Sequence, residues 1–282
     1  MDLTEQQINY FQTFGFLRFD QLFIDDVDSI TQSFEHIWEQ SGGGHGGQEH
    51  DYLQRSALAQ FIDCNEYMSK LIDDERIVGI ASSLLGEDFN YAGSDGNYYV
   101  GDTAWHSDGY VDKKYLSFKM AFYLDPCSAN TGCLRVIPGS HKYGDKFGDG
   151  LYLAMKSSQD NRTEELWGLA GADVPAVALE TLPGDLLLFD HRIKHSSFGG
   201  GSRRRMFTMN MEQRYADADL GQLRDSISGG ARFWVERAYG DVMIKTADDS
   251  RMVHLEQRLS NDSHLAELSR KAREEMNEPS RS

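Results

Sequence analysis

The sequence predicts a single α+β domain whose centre is an antiparallel β-sandwich with helices packed against it. Helical periodicity is confined to the two ends of the chain, whereas the apolar pattern from about residue 88 to residue 212 is typical of strands. The chain has 282 residues, of which 40% are hydrophobic, so it is long enough to bury one sizeable core. Helices at the ends of a two-sheet core form a recognised layer architecture.

Three helices are predicted in the N-terminal third. Residues 4–14 begin with a capping box and end before a glycine, which are typical start and stop signals of a helix. Residues 25–40 and 73–85 repeat apolar side chains at helical spacing. The intervening segment 41–50 contains too many glycines for a helix or strand, and we expect it to be a mobile loop.

The middle of the chain predicts strands separated by Gly, Pro or Asn turns. The predicted strands are 97–100, 116–124, 133–139, 172–180, 185–190 and 205–212. Residues 140–171 show no clear period, and we expect a long excursion from the sheets that contributes to a binding site. The C-terminal part is helical again, most clearly over 251–259 and 264–276. The predicted parts of the domain are therefore 1–87 (helices and mobile loop), 88–212 (sandwich core) and 213–282 (C-terminal helices).

Composition limits the partners and the compartment. The chain has 28 Lys and Arg against 45 Asp and Glu, a formal charge of −17, which argues against nucleic acid or an anionic membrane as a partner. No stretch approaches the ~18–20 apolar residues of a membrane span, and the N-terminus is acidic and polar. Three cysteines without Cys-x-x-Cys spacing fit a reducing compartment. We expect a cytoplasmic protein.

The motif His106-Ser107-Asp108 is the first candidate metal site. On an extended chain, side chains two residues apart leave the same face, so His106 and Asp108 can bind one ion. His195, at the end of a later predicted strand, can supply a third ligand. Two imidazoles and one carboxylate form the facial triad of non-haem Fe(II) oxygenases, which leaves coordination positions open. Zinc hydrolases use the same ligand types, but the helical His-Glu-x-x-His motif is absent.

Other sequence blocks occur around this motif in a fixed order. A helix ends at Gly15-Phe16, and after His-x-Asp come NTGCLRVIPGSH (130–141), PGD (183–185) and a histidine ten residues beyond Asp185. In this order the chain resembles the phytanoyl-CoA dioxygenase-like branch of Fe(II)/2-oxoglutarate oxygenases, which includes ectoine hydroxylase, over residues 4–212. The resemblance implies a double-stranded β-helix, a jelly roll of the cupin kind. It also implies iron ligands at His106, Asp108 and His195.

The resemblance further implies a binding site for 2-oxoglutarate. The family follows its second histidine with Gly-Ser, so Ser197 is a candidate hydrogen-bond donor to 2-oxoglutarate. The family also places an arginine on the next strand, where its planar guanidinium can pair with the far carboxylate. Arg203, Arg204 and Arg205 lie eight, nine and ten residues beyond His195, a shorter spacing than in the family. We prefer Arg205 because it opens the predicted strand 205–212, with Arg204 as the alternative.

Four further side chains are candidates for a substrate pocket. Asn97 and Tyr99 alternate on the predicted strand before the metal motif, and ordinary strand packing is the other interpretation. Trp105 either forms a wall of the site or fills the core. Lys119 shares one face of its strand with other polar residues, so it can meet an anionic group of the substrate or co-substrate if that face lines the cavity, and it is a surface charge if the face meets solvent.

The predicted function is that of an Fe(II)- and 2-oxoglutarate-dependent dioxygenase. The resemblance implies oxidation of an unactivated C–H bond of a small metabolite, with release of succinate and CO2. Related halogenases replace the carboxylate ligand with a small residue, and this chain keeps Asp108, so we expect hydroxylation rather than halogenation. Desaturation, demethylation and ring closure stay open. The alternatives are a cupin-like metal-dependent isomerase or hydrolase, or a non-catalytic binding module on the same fold.

Overall fold

The computed structural model of the chain describes residues 1–109, 113–142 and 163–282, and within 143–162 only Gly144, Lys146 and Gly150. Much of the predicted excursion 140–171 therefore lies outside the described residues. Among the described helices, none combines the length and the apolar character that a bilayer crossing requires.

Strands and helices fill most of the described chain. The strands are β1 (Phe16–Phe19), β2 (Ser56–Ala59), β3 (Asn90–Tyr99), β4 (Thr103–His106), β5 (Ser117–Tyr123), β6 (Leu134–Val136), β7 (Val177–Leu179), β8 (Leu186–Asp190), β9 (His195–Ser197) and β10 (Arg204–Glu212). The α-helices are α1 (Glu5–Phe14), α2 (Val27–Gln40), α3 (Glu66–Ser69), α4 (Glu75–Leu85), α5 (Thr163–Trp167), α6 (Leu220–Ser228), α7 (Asp241–Lys245), α8 (Asp249–Leu259) and α9 (Leu265–Glu275).

The chain divides into two compact units. The first unit comprises Met1–Leu3, Asp28–Tyr98 and Phe207–Ser282, and the second comprises Thr4–Val27 and Tyr99–Met206. Strands β3 and β10 each begin in one unit and end in the other. That the whole chain forms a single domain stays a prediction.

The second unit contains two antiparallel sheets around one apolar core. One sheet runs in the order β1-β8-β5 and continues to the start of β10, and the other runs β4-β9-β6-β7. Antiparallel sheets packed face to face are the arrangement expected for a double-stranded β-helix. Buried side chains from both sheets form the core, among them Phe16, Ala121, Tyr123, Leu134, Val136, Leu187, Phe189 and Met206. In the second sheet, the end of β4 lies beside the start of β9.

The first unit combines a strand pair with most of the helices. β2 pairs antiparallel with β3, and Ser56 lies opposite Tyr98. The ring of Trp38 from α2 stacks on Tyr98, with the ring centroids 4.5 Å apart. On the C-terminal side, Arg258 of α8 forms a buried ion pair with Glu212 at the end of β10. This pair joins α8 to the end of β10.

The structure confirms the long predicted elements and adds short ones. The predicted capping box of α1 is present, with Thr4 and Gln7 each bonded to the other's backbone. Strands β1, β2, β4 and β9 were not predicted, because each has only three or four residues and little alternation. Segment 41–50 contains a short 3₁₀ helix in which buried His45 bonds the carbonyl oxygen of Ala57 at 3.0 Å. The mobility of that segment stays a prediction.

Candidate metal centre

Two neighbouring strands bring the predicted metal ligands together. β4 and β9 pair antiparallel with His106 opposite His195, and the two imidazole centroids lie 4.2 Å apart. Asp108 follows β4 and lies between them: Oδ1 is 3.5 Å from His106 Nε2 and Oδ2 is 3.6 Å from His195 Nε2. One ligand atom from each residue lies within 4.8 Å of the others. Two imidazole nitrogens and one carboxylate oxygen at this spacing could hold a metal ion.

Backbone carbonyls orient both imidazole rings. His106 Nδ1 lies 2.8 Å from the carbonyl oxygen of Ala104, and His195 Nδ1 lies 3.0 Å from that of Ile193. Because a carbonyl can only accept, Nδ1 carries the proton in both rings. Each Nε2 therefore presents a lone pair toward the other ligands. A hydrogen bond from the second ring nitrogen to a backbone carbonyl is the usual support of a metal-binding histidine.

The electrostatic environment keeps His195 and Asp108 in their metal-binding protonation states. Burial, reinforced by neighbouring His106, lowers the pKa of His195 to about 3, so its imidazole is neutral near pH 7. Burial alone would raise the pKa of Asp108, but Lys119, followed by the two imidazoles, outweighs burial and holds that pKa well below its usual range. A neutral imidazole and a carboxylate are the forms that bind metal ions.

Lys119 lies beside the carboxylate of this group. It projects from β5 opposite Phe189 of β8, and its Nζ is 2.8 Å from Asp108 Oδ2. Its side chain is only 17% exposed. Lys119 therefore turns toward the centre rather than toward solvent, and its contact with a substrate or co-substrate stays a prediction.

A second polar feature of this unit is the buried guanidinium of Arg204. Its Nη2 donates to Ser197 Oγ at 3.1 Å, and its Cζ lies 5.2 Å from the ring centre of Tyr99. Its Nε and Nη1 are buried without a hydrogen-bond partner in the described part of the chain. Buried donors without partners are costly, so this guanidinium is suited to an anion with two acceptor oxygens.

Gly132 makes the space that Arg204 occupies. A Cβ at this glycine would lie 1.8 Å from Arg204 Nη1, and the glycine φ of +87° is one that other residues rarely adopt. Sequence reasoning did not single out Gly132, although it lies within the block 130–141. The block therefore contributes directly to the surroundings of the arginine.

The position of Arg205 corrects the preference stated from the sequence. Its Nη2 lies 2.5 Å from Asp125 Oδ1, and its backbone N–H donates to Asp125 Oδ2 at 2.8 Å. Strand β10 begins at Arg204, one residue earlier than predicted, and consecutive strand residues point to opposite faces. Arg204 therefore faces Ser197, and Arg205 faces away from it.

Two other predicted pocket residues, Trp105 and Asn97, are buried and hydrogen-bonded to other parts of the protein. Trp105 is buried with Ile137 and Val174, and its Nε1 donates to the carbonyl oxygen of Gly171 at 2.8 Å, so it fills a small core. Asn97, which belongs to the first unit, is buried and accepts two hydrogen bonds from Arg55, at 2.9 and 2.6 Å. The sequence contained no signal for that role of Arg55.

Comparisons with known proteins were made for the whole chain. The model of the phytanoyl-CoA dioxygenase (PhyH) family matches residues 11–206. No curated protein sequence matches the chain.

Several solved structures share the fold at low sequence identity. SnoK, a non-haem α-ketoglutarate-dependent carbocyclase from nogalamycin biosynthesis, is 18% identical, with 79% of this chain and 90% of SnoK covered and a TM-score of 0.59. HygX from Streptomyces hygroscopicus, solved with nickel and 2-oxoglutarate, is 15% identical over 76% of this chain and 89% of its own, with a TM-score of 0.57. EctD from S. alaskensis, solved with 2-oxoglutarate and 5-hydroxyectoine, is 20% identical, with 75% of this chain and 76% of EctD covered and a TM-score of 0.53.

Proposed function

Because the chain belongs to the phytanoyl-CoA dioxygenase family, we propose that it is an Fe(II)- and 2-oxoglutarate-dependent oxygenase that hydroxylates an unactivated C–H bond of a small molecule. The observation that carries this proposal is the buried guanidinium of Arg204, whose Nε and Nη1 lack partners among the described residues. This guanidinium bonds Ser197, which lies two residues beyond the candidate metal ligand His195 on β9.

In this proposal His106, Asp108 and His195 hold the iron. The donor set fits that ion, since two imidazoles and one carboxylate are the ligands of non-haem Fe(II) oxygenases. When bound, Fe(II) supplies the activation of dioxygen that couples oxidation of 2-oxoglutarate to succinate and CO2 with oxidation of the substrate. The three residues fill three coordination positions and leave three for other groups.

Arg204 and Ser197 hold the distal carboxylate of 2-oxoglutarate. The planar guanidinium offers two parallel donors to the carboxylate. Ser197 Oγ accepts from Arg204 Nη2, so its own hydroxyl proton is available to the same carboxylate. A metal-dependent hydrolase or isomerase has no need of such an anion site, and the site therefore favours the oxygenase over those alternatives.

The reaction outcome depends on how the substrate is held. SnoK, with the same dependence on α-ketoglutarate, is a carbocyclase, so the co-substrate does not by itself determine the product. We propose hydroxylation because Asp108 is retained as the third ligand, where a halogenase would need an open position. Substrate placement then decides which carbon is oxidised.

Anaerobic titration with 2-oxoglutarate tests this proposal. Addition to the Fe(II)-loaded protein should produce a weak visible charge-transfer band, and admission of O2 should then release succinate. Iron that is bound without such a band, and without succinate release, would contradict the proposal. The isomerase and binding-module alternatives would then be favoured.

A further inference from the structure

We propose that Lys119 is a positioning residue that binds Oδ2 of Asp108 and so prevents the carboxylate from offering both of its oxygens to the metal. This inference rests on the proposed function, because it concerns the iron ligand set of the same site. It adds a residue that lies outside the His-x-Asp motif and on a different strand.

The contact between the two side chains is direct. Lys119 Nζ lies 2.8 Å from Asp108 Oδ2, which is the distance of a charge-assisted hydrogen bond. Oδ1 lies 3.5 Å from His106 Nε2, and Oδ2 lies 3.6 Å from His195 Nε2, so the ammonium group of Lys119 competes with a metal ion for Oδ2. An ammonium group has three donors and no acceptor, so it can bind the carboxylate but cannot itself ligate a metal ion.

The strand register fixes the lysine in this place. Lys119 lies opposite Phe189, and the ring of Phe189 is 4.9 Å from the imidazole of His195. On the same strand face, Ala121 and Tyr123 are packed in the apolar core. The stem of the lysine is therefore held among packed side chains, while its end reaches Asp108.

The consequence concerns the number of open coordination positions. A carboxylate that binds through one oxygen leaves three positions of an octahedral ion open, and a carboxylate that binds through both leaves two. A chelating oxo acid takes two positions, and dioxygen needs a third. By holding Oδ2, Lys119 would preserve the third position.

Bound water on Mn²⁺ provides a readout independent of catalysis. Mn²⁺ suits oxygen ligands, and its effect on the relaxation rate of solvent protons rises with the number of water molecules it binds. We expect saturated wild type and Lys119→Arg, which keeps a charged donor, to give the same relaxation enhancement. Lys119→Met should give an enhancement about one third lower, since two waters replace three.

The Met variant should still bind Mn²⁺, because the substitution removes a positive charge from beside a dication. Lys114→Met is the matched control, since Lys114 lies over the ring of Tyr115, 5.2 Å from its centre, and should leave the enhancement unchanged. If the Met variant does not fold, Lys119→Ala replaces it, and the same decrease is expected.

Two different failures are distinguishable. Equal enhancement in wild type and Lys119→Met, with Mn²⁺ bound to both, would overturn the role of Lys119 and leave the proposed function intact. Mn²⁺ binding that is absent from wild type, or that survives His195→Ala undiminished, would overturn the metal site itself and this inference with it.

Discussion

Replacing Arg204 by Met should abolish tight binding of 2-oxoglutarate while leaving the protein folded. The substitution removes the guanidinium and keeps an apolar stem of similar length. Because Nε and Nη1 of Arg204 are buried without partners among the described residues, the metal- and ligand-free protein loses no satisfied bond from these two atoms. Among the described residues it loses the 3.1 Å hydrogen bond to Ser197 and the contact of the Arg204 Cζ with the ring of Tyr99.

The size of the effect follows from the burial of the charge. Arg204 is only 6% exposed. Truncating one partner of a buried, hydrogen-bonded charge pair costs about 2–5 kcal/mol of binding free energy. At about 1.4 kcal/mol per factor of ten, the dissociation constant for 2-oxoglutarate should rise roughly 30- to 4,000-fold. The free energy of unfolding without ligand should stay equal or increase, since a poorly paired buried charge is removed.

Arg205→Met is the matched control. Arg205 is bonded to Asp125, and the side chains of this pair are 22% and 30% exposed. Its loss should cost ~0.2–1 kcal/mol of stability and change 2-oxoglutarate affinity by less than about threefold. Anaerobic titration of both Fe(II)-loaded variants, with thermal unfolding alongside, measures each quantity. Normal affinity in the Arg204 variant together with weak affinity in the Arg205 variant would refute the reasoning.

Three further outcomes are expected. Gly132→Ala should weaken 2-oxoglutarate binding, as Arg204→Met does, and should lower the free energy of unfolding by about 1–3 kcal/mol. The reason is that the new Cβ would lie 1.8 Å from Arg204 Nη1 and that the φ of Gly132 is +87°. Gly201→Ala is the control, because no atom of the described residues lies within 4 Å of a Cβ at that position. His195→Ala should weaken Mn²⁺ binding more than about 100-fold, as followed by the electron paramagnetic resonance signal of free Mn²⁺, and unchanged binding would contradict its role as a ligand. Burial raises the pKa of Asp63 from 3.8 to about 6, so this carboxyl stabilises the fold below pH 4, and that contribution is lost as the pH rises to about 6. Between pH 4 and pH 7, the free energy of unfolding of the wild type, measured in urea, should fall by about 3 kcal/mol because of Asp63, and in Asp63→Asn this decrease should be missing. The same pH dependence in both proteins would exclude this assignment.

The sequence was sufficient to predict the order of the long elements. Thr4 and Gln7 locate α1 because capping is a local interaction between neighbours in the chain. The sequence also predicts the three candidate metal ligands. His106 and Asp108 share one face of an extended segment, and His195 follows a predicted strand. The structure brings these three side chains together.

The choice between Arg204 and Arg205 could not be made from the sequence. Strand boundaries are uncertain by a residue or more, and a shift of one residue exchanges the two faces of a strand. The pairing of Arg205 with Asp125 depends on the turn after β5, which carries no local signal for that contact. Likewise, the contact of Lys119 with Asp108 requires knowledge of which face of β5 is turned inward.

His195 and Ser197 lie two residues apart on the same short strand, β9. One residue is a candidate ligand of the metal, and the other contacts the arginine that would bind the far carboxylate. Two strand residues advance the chain by about 6.8 Å, and an inextensible backbone fixes that interval. The candidate metal ligand and the hydrogen-bond partner of the buried guanidinium therefore share one rigid segment, and the interval between these two residues does not depend on the conformation of any loop.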